Sequence, residues 1–371
     1  MISLLAAYLI PWLIGSALTG FLFPVCTSAS VLLLRSALAL GVGFGMTSSV
    51  LFLWLLGVGE VTAGFFLLES MLGFLSLLAL LFQKHRLPAD PPSWSPPVSN
   101  RTMEKKFRVG FFLFLLSGSA IMVLVSLLSP HGDWDAWAIW NNRARFLFRS
   151  GPDWKASFSP LLNWSHPDYP LLLPLSIARI WFYLGRESLW VPAVTAMLFS
   201  VSVTVLLVSS LSLLRNKTQG YWGGIILLIT PSFLTHGVSQ FADLPLAFFF
   251  LAVLVVLHCS ENLQSCRSRL LILSGLLAGF SAWTKNEGLL FVVVFLLIRS
   301  LTLFSRTKGK ESWKSMIFTL AGLLPVLALV FAFKFYLAPP NDLLSLLRTD
   351  RVLTHLTDPG RYFLVLKYFF T

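Results

Sequence analysis

Charged side chains are scarce in this sequence. Asp, Glu, Lys and Arg make up 12% of the 371 residues, about half the share found in soluble domains. Together with a hydrophobic share of 56% and a mean hydropathy of +0.78, this scarcity excludes an ordinary soluble enzyme, a disordered chain and a compact nucleic-acid-binding module. Cysteine is also rare, and Cys26, Cys259 and Cys266 have no spacing typical of a disulfide framework or a metal site.

Long apolar runs are what the sequence contains instead, and they predict an all-α, polytopic integral membrane protein with about ten transmembrane helices. A helix needs about 20 apolar residues to cross the hydrocarbon of a bilayer. The first run has no basic segment before it and no clear cleavage site after it, so we interpret it as a span and not as a signal peptide. The ten runs cover residues 4–23, 36–57, 62–83, 109–129, 189–213, 221–235, 244–258, 270–283, 288–304 and 315–338.

The positions of Lys and Arg predict the orientation, because basic loops stay in the cytoplasm. The Pro-rich segment 84–108 is basic, and so are three later loops that contain Arg215, Arg267 and Lys310. All of these can face the cytoplasm only if residues 170–185 form an amphipathic helix at the interface and do not cross the membrane. The outer segments are then 130–190, 236–243, 285–287 and the stretch after 339.

The first outer segment begins with acids that could take part in chemistry. Asp133 and Asp135 follow a predicted span and precede a stretch in which Trp and Leu recur at helical spacing, as in a helix lying at the membrane interface. Arg143 and Arg145 lie on the outer side despite the positive-inside bias, which suggests a phosphate partner. For either acid, the alternative is a helix cap in a solvated loop.

Two further acids lie next to prolines. His166 and Asp168 belong to a His-Pro-Asp-Tyr-Pro stretch, which could equally be only a rigid turn. Asp243 stands directly before Leu244 and Pro245, where a helix cap is the alternative to a functional role.

A short turn between two predicted spans carries Lys285 and Glu287. These residues could simply pair with each other, but a Lys in an outer turn is also a candidate to hold a leaving phosphate. Glu69 lies inside the third predicted span, where a carboxylate is costly unless it is paired or faces a cavity. The sequence indicates no role for Glu69.

This ordered set of polar motifs resembles the GT-C superfamily of membrane glycosyltransferases. It is most similar to the branch that contains protein O-mannosyltransferases, bacterial aminoarabinose transferases and rhizobial-type lipopolysaccharide transferases. The set comprises an Asp-x-Asp before an aromatic, Arg-bearing helix, a His-Pro-x-x-Pro element, an Asp between two spans and a Lys-x-x-Gly turn. The resemblance divides the chain into residues 1–108 with three N-terminal spans and the basic Pro-rich cytoplasmic loop, a GT-C-like catalytic core at 109–338 with the outer loop 130–190, and an outer segment at 339–371 with an incomplete terminal apolar stretch.

The resemblance implies that a sugar moves from a polyprenyl-phosphate donor to an acceptor hydroxyl on a glycolipid, a polysaccharide or a protein. The expected location is the inner (plasma) membrane, with the active site on the extracytoplasmic side. Asp135 is the expected base, and Asp133 or Asp243 would orient the acceptor. The expected substrate-binding residues are Lys285, Arg143, Arg145, His166, Asp168 and Glu287.

Several alternatives stay open at this level. A divalent metal ion could be held by Asp133, Asp135 and either His131 or His166, although their spacing is weak evidence for one. No nucleic-acid partner is expected, because the excess of basic residues belongs to cytoplasmic loops. The rival functions are a transporter or flippase for an anionic lipid or sugar and an inactive homologue, since the sequence ends within an apolar stretch at 362–371.

Overall fold

The computed structural model describes residues 2–23, 28–83, 101–306, 310–340, 354 and 357–370, and it is all-helical in that part of the chain. This confirms the predicted fold class of a polytopic α-helical membrane protein. Most of the predicted Pro-rich loop (84–100) and part of the terminal segment (341–353) lie outside the described residues.

Between α4 and α6, a π-helical turn (Ala136–Trp140) and two 3-10 turns (Gly151–Phe158 and Pro160–Ser165) flank α5. The α-helices are α1 (Ile2–Leu22), α2 (Ala29–Val58), α3 (Ala63–Gln83), α4 (Arg101–Leu128), α5 (Asn141–Arg149), α6 (Leu172–Leu184), α7 (Trp190–Leu214), α8 (Lys217–Ile229), α9 (Pro231–Val238), α10 (Asp243–Asn262), α11 (Arg267–Thr284), α12 (Asn286–Arg306), α13 (Lys310–Tyr336) and α14 (Pro359–Phe370).

Eight helices among the described residues are long and apolar enough to cross a membrane, namely α1, α2, α3, α4, α7, α10, α12 and α13. Two of the ten predicted spans do not correspond to a helix of this kind. The run at 221–235 is divided into α8 and α9, because Thr230 is extended and Pro231 starts a new helix. The run at 270–283 forms α11, which has 18 residues but begins with Arg267 and Arg269. From Leu270 onward α11 is buried almost all round, so other helices surround it and it does not face lipid.

The centre of the bundle depends on small residues that let helix backbones approach each other. A Cβ atom on Gly15 of α1 would lie 1.8 Å from the carbonyl oxygen of Ala39 on α2, and a Cβ atom on Gly275 of α11 would lie 1.9 Å from that of Thr319 on α13. Close contacts of this kind replace the hydrophobic driving force that is missing between helices in lipid. Helix α2 also packs against α6 and α7, and α1 packs against α6, while the division of the chain at residue 108 stays a prediction.

The amphipathic helix predicted at 170–185 is wrong in one respect. Helix α6 has 13 residues, so it is too short to span, but residues 172–181 are all buried and do not rest on a membrane surface. Arg179 is 1% exposed and Glu69 is 0% exposed. Arg179 Nε donates to both Glu69 carboxylate oxygens at 2.8 and 2.9 Å, and Tyr183 also donates to Glu69. Glu69, which looked anomalous in sequence, is therefore neutralised by Arg179 inside the protein.

Candidate functional site

The outer loop between α4 and α6 is fixed on the turn between α9 and α10. Asp133 N–H donates to the carbonyl oxygen of Ser239. The Gln240 side chain is buried, donates to the carbonyl oxygen of Pro130 and accepts a hydrogen bond from Asn141 at 2.8 Å. The segment that carries the Asp-x-Asp motif is thus anchored within a few residues of Asp243, which begins α10.

Neither acid of that motif caps a helix in the usual way. Asp135 precedes the π-helical turn without a side-chain cap hydrogen bond, and it is half-buried. Asp133 is exposed, and its carboxylate accepts a hydrogen bond from the backbone N–H of the next residue at 2.7 Å. The Asp135 carboxylate has no capping duty, which leaves it available for a different role.

Lys285 lies between two carboxylates at this end of the bundle. Its Nζ atom is 3.1 Å from Asp243 Oδ1 and 3.1 Å from Glu287 Oε1. Asp243 and Glu287 lie in the first turns of α10 and α12, where the helix dipole favours negative charge. Burial by itself would lower the pKa of Lys285, but the two carboxylates raise it above its usual value overall. Lys285 is therefore a firmly protonated cation, and its side chain is 14% exposed.

Asp168 belongs to a neighbouring network that the sequence did not predict in full. Asn286 donates to Asp168 Oδ2 at 2.8 Å, and Lys334 donates to Asn286 Oδ1 at 2.7 Å. Lys334 Nζ also bonds the carbonyl oxygen of Asp168 and lies 3.6 Å from its Oδ2 atom. Lys334 comes from the last turn of α13. The signal that could have found it is a charged residue within an otherwise apolar predicted span.

Tyr169 lies within electrostatic range of both networks and was missed in sequence. Its ring is stacked against the rings of His166 and Trp140, with centroid distances of 5.0 and 5.5 Å. Burial raises the pKa of Tyr169, and the nearby Glu287 carboxylate raises it further. Asp168 and Asp135 act in the same direction, whereas Lys285 opposes them. Tyr169 is thus a neutral phenol in the electrostatic range of both Asp135 and Lys285.

Arg143 supports the loop from within. The guanidinium is 3% exposed, donates to the carbonyl oxygen of Ser165 at 2.8 Å and lies 5.8 Å from the ring centroid of Phe158. Burial lowers the pKa of Arg143 to about 10, while the charge of Asp168 partly opposes that change. Arg143 is therefore buried within the outer loop, close enough to Asp168 for the two charges to interact.

Arg145 forms its ion pair in a different cluster from Lys285, which was expected to hold a phosphate together with either Arg143 or Arg145. Its Nε atom is 3.4 Å from Glu187 Oε2, and Arg149 pairs with the same carboxylate through two hydrogen bonds. These three side chains line a cavity of about 850 Å³ that also contacts Gly132 and Trp137. A pocket with two arginines and one carboxylate in its lining therefore lies beside the Asp-x-Asp segment.

The described residues contain no group of three or more His, Cys, Asp or Glu side chains arranged to hold a metal ion. The arrangement of Asp133, Asp135, His131 and His166 thus offers no support for the metal alternative left open by the sequence.

Comparison with known proteins agrees with the resemblance over part of the chain. Residues 165–335 match the model of the dolichyl-phosphate-mannose-protein mannosyltransferase family. The matched segment contains His166, Asp168, Asp243, Lys285 and Lys334, and it begins after Asp133 and Asp135. No curated protein and no solved structure matches the chain. The match supports the GT-C resemblance and, with the apolar helices, indicates a membrane glycosyltransferase that uses a lipid-linked sugar donor.

Proposed function

We propose that this protein transfers a sugar from a polyprenyl-phosphate donor to an acceptor hydroxyl at the end of the bundle that carries Asp135, Asp243 and Lys285. The observation that carries the proposal is a convergence in space. The family-matched segment supplies Asp243 and Lys285 with their atoms 3.1 Å apart, and Tyr169 lies in the field of both Lys285 and Asp135. Acids and bases distant in sequence thus lie within electrostatic range of one side chain, that of Tyr169.

The reaction needs both kinds of group that lie there. A polyprenyl tail cannot leave the bilayer, so the reacting atoms must lie at a membrane face. The departing phosphate develops negative charge, which a fixed cation stabilises in the transition state, and this is the role of Lys285. The acceptor hydroxyl is a weak nucleophile, so Asp135 takes its proton as the hydroxyl oxygen attacks the anomeric carbon. A single displacement of this kind inverts the anomeric centre.

The pairing of Lys285 indicates how its charge is made available. Two carboxylates share this one ammonium group, so the cluster is negative before a donor arrives. The Glu287 side chain is 51% exposed and the Asp243 side chain 39% exposed, so Glu287 is the partner that a phosphate oxygen displaces more readily. Asp243 then keeps Lys285 oriented, while Lys334 and the buried Arg143 supply further positive charge around Asp168.

The cavity beside the Asp-x-Asp segment is the place we propose for the acceptor. Gly132 lies just before the two acids and Trp137 just after them, and both contact the cavity. Arg145 and Arg149 outnumber their single carboxylate partner, Glu187, so the cavity suits an acceptor that itself carries an anionic group.

The proposed site faces the extracytoplasmic side of an inner (plasma) membrane. The support is the distribution of charge along the helices. Arg215, Arg267 and Lys310 lie at the opposite ends of the helices that carry or flank the site, and basic residues concentrate on the cytoplasmic side of a bilayer.

A transfer assay tests the proposal directly. Purified protein is incubated with radiolabelled polyprenyl-phosphate sugars and an envelope extract as acceptor, and label outside the polyprenyl fraction is counted. Asp135→Asn should slow transfer by about 10²- to 10⁴-fold, the usual contribution of a general base. Asp153→Asn, at an exposed acid of the same outer loop, is the matched control and should transfer at the parent's rate. Transfer by Asp135→Asn at that rate would refute the base, and no transfer by the parent from any such donor would refute the transferase.

A further inference from the structure

Two arginines at the other end of the bundle have guanidinium nitrogens without partners among the described residues. Arg299 of α12 is 4% exposed, and its Nε and Nη2 atoms are buried without a hydrogen-bond acceptor. The Nε atom of Arg267, which starts α11, is buried in the same state. The acid near Arg299 is Glu261, whose Oε1 atom is 3.9 Å from Nη1 and whose side chain is 45% exposed.

Burying these guanidinium nitrogens costs free energy unless another group accepts their hydrogen bonds. A buried donor without an acceptor loses its bonds to water and gains nothing in return, and the cost is larger for a charged group. Such groups in native structures usually have a bound ion or an ordered water as partner. Arg267 and Glu261 are both within electrostatic range of Arg299, so the three side chains together carry one net positive charge. The missing partner is therefore expected to be an anion.

The pair lies far from the proposed active site. Helix α12 starts at Asn286 beside Lys285 and reaches Arg299 after about 13 residues, or about 20 Å at 1.5 Å per residue. Helix α11 ends at Thr284 and begins at Arg267, which separates Arg267 from Lys285 by about 27 Å. These lengths compare with a hydrocarbon thickness of about 30 Å. Arg267 thus lies close to headgroup level in the opposite leaflet, and Arg299 lies in the same leaflet, about 7 Å deeper.

The surface beside the pair is apolar. Leu297, Ile298 and Leu301 on α12 are 59%, 57% and 69% exposed, which suits contact with acyl chains. A guanidinium group matches the oxygens of a phosphate with two parallel hydrogen bonds. Basic pockets between membrane helices on the cytoplasmic side are a recurrent place for anionic headgroups.

We propose that Arg299 and Arg267 bind the phosphate of an anionic phospholipid in the leaflet opposite the active site. The lipid is a bound membrane component and not a substrate. The apolar face of α12 favours a lipid over free phosphate, because a lipid can cover that face with its acyl chains while its phosphate accepts hydrogen bonds from the two arginines. This inference does not depend on the sugar-transfer chemistry.

The test measures lipid binding to the purified full-length protein in neutral detergent. Dioleoyl phosphatidylglycerol is titrated while the melting temperature and the lipid retained in native mass spectra are followed. Dioleoylglycerol, which lacks phosphate, and inorganic phosphate are titrated in parallel. We expect saturable stabilisation by phosphatidylglycerol alone. Arg299→Gln should weaken it about tenfold, as expected for loss of a charge-assisted contact.

Arg269→Gln is the matched control, since Arg269 is an exposed arginine on the same first turn of α11 and should leave phosphatidylglycerol binding unchanged. Arg267→Gln is a second test that keeps the inference falsifiable if Arg299→Gln does not fold. Parent-like binding by the folded Arg299 or Arg267 variants would overturn the proposal, and so would an equal effect of dioleoylglycerol or inorganic phosphate. Sugar transfer is measured separately, so a parent that binds lipid but transfers no sugar contradicts only the proposed function.

Discussion

The buried pair of Glu69 and Arg179 predicts a large loss of stability when only one partner is neutralised. Glu69→Gln removes the negative charge that accepts two hydrogen bonds from Arg179 and one from Tyr183. The Arg179 side chain would stay 1% exposed, and its charge would be left with neutral acceptors, the glutamine amide oxygen and the carbonyl oxygen of Ala7. Removing one partner of a buried ion pair costs about 3–5 kcal/mol.

The size of the chain converts this cost into a shift of the melting temperature. An unfolding entropy of about 2.1 cal/mol/K per residue over 371 residues amounts to about 0.8 kcal/mol/K. A loss of about 3–5 kcal/mol therefore lowers the melting temperature by about 4–6 °C. Replacing both charges, as in Glu69→Leu with Arg179→Met, should recover most of the loss, because well-packed apolar residues often substitute for a buried pair without net cost.

Thermal unfolding of purified variants in one detergent measures these shifts. Glu104→Gln is the control, since Glu104 pairs with Lys217 at 3.7 Å on the surface, and loss of an exposed pair costs about 1 kcal/mol or less. The reasoning is refuted if Glu69→Gln melts within about 1 °C of the parent, which is the shift that this control allows. The single variants Glu69→Leu and Arg179→Met complete the comparison. The reasoning is also refuted if the double variant loses as much stability as these two single variants added together, because partners in direct contact should be coupled.

Two predictions concern the candidate site. Lys334→Met should lower sugar transfer at least tenfold, because Lys334 holds Asp168 and Asn286 in place and one lost charge-assisted hydrogen bond is worth about that factor. Lys334→Arg keeps the charge and, at an equal melting temperature, should keep more activity. Equal rates for both variants would contradict this positioning role. The pKa of Lys285 is raised, so its pairing with Asp243 stabilises the fold fully below pH 10.5, its usual pKa, and this stabilisation is lost as the pH rises through the raised value. In melting curves recorded against pH, Lys285→Met should be less stable than the parent near neutrality and approach it above pH 10.5; curves that stay parallel would exclude the linkage.

Several features of the fold could be predicted from sequence because they depend on local pattern. Eight of the ten predicted spans correspond to helices long and apolar enough to cross a membrane. The prediction of one span at 221–235 was wrong because a hydropathy average does not register Pro231, which starts a new helix. The amphipathic character assigned to α6 failed for a different reason. A charged residue in a short apolar stretch suggests an exposed face, and the partner that buries Arg179 lies 110 residues away in Glu69.

The same distinction holds for the candidate site. Asp133, Asp135, Asp243 and Lys285 were chosen because each stands next to a predicted span in a polar turn, which is a local signal. Lys334 was missed because its signal, one charge near the end of an apolar helix, has no visible partner in sequence.

The sequence by itself determined that the chain forms apolar helices and which of their ends carry polar residues, since hydropathy, helix length and turn residues act over neighbouring positions. Only the tertiary structure decided which of those residues meet. It brought Lys285 to Asp243, Arg145 to Glu187 and Arg179 to Glu69. The physical reason is that the energy of a charge inside a membrane protein depends on partners from other helices, and those partners are selected by packing that no local stretch of sequence encodes.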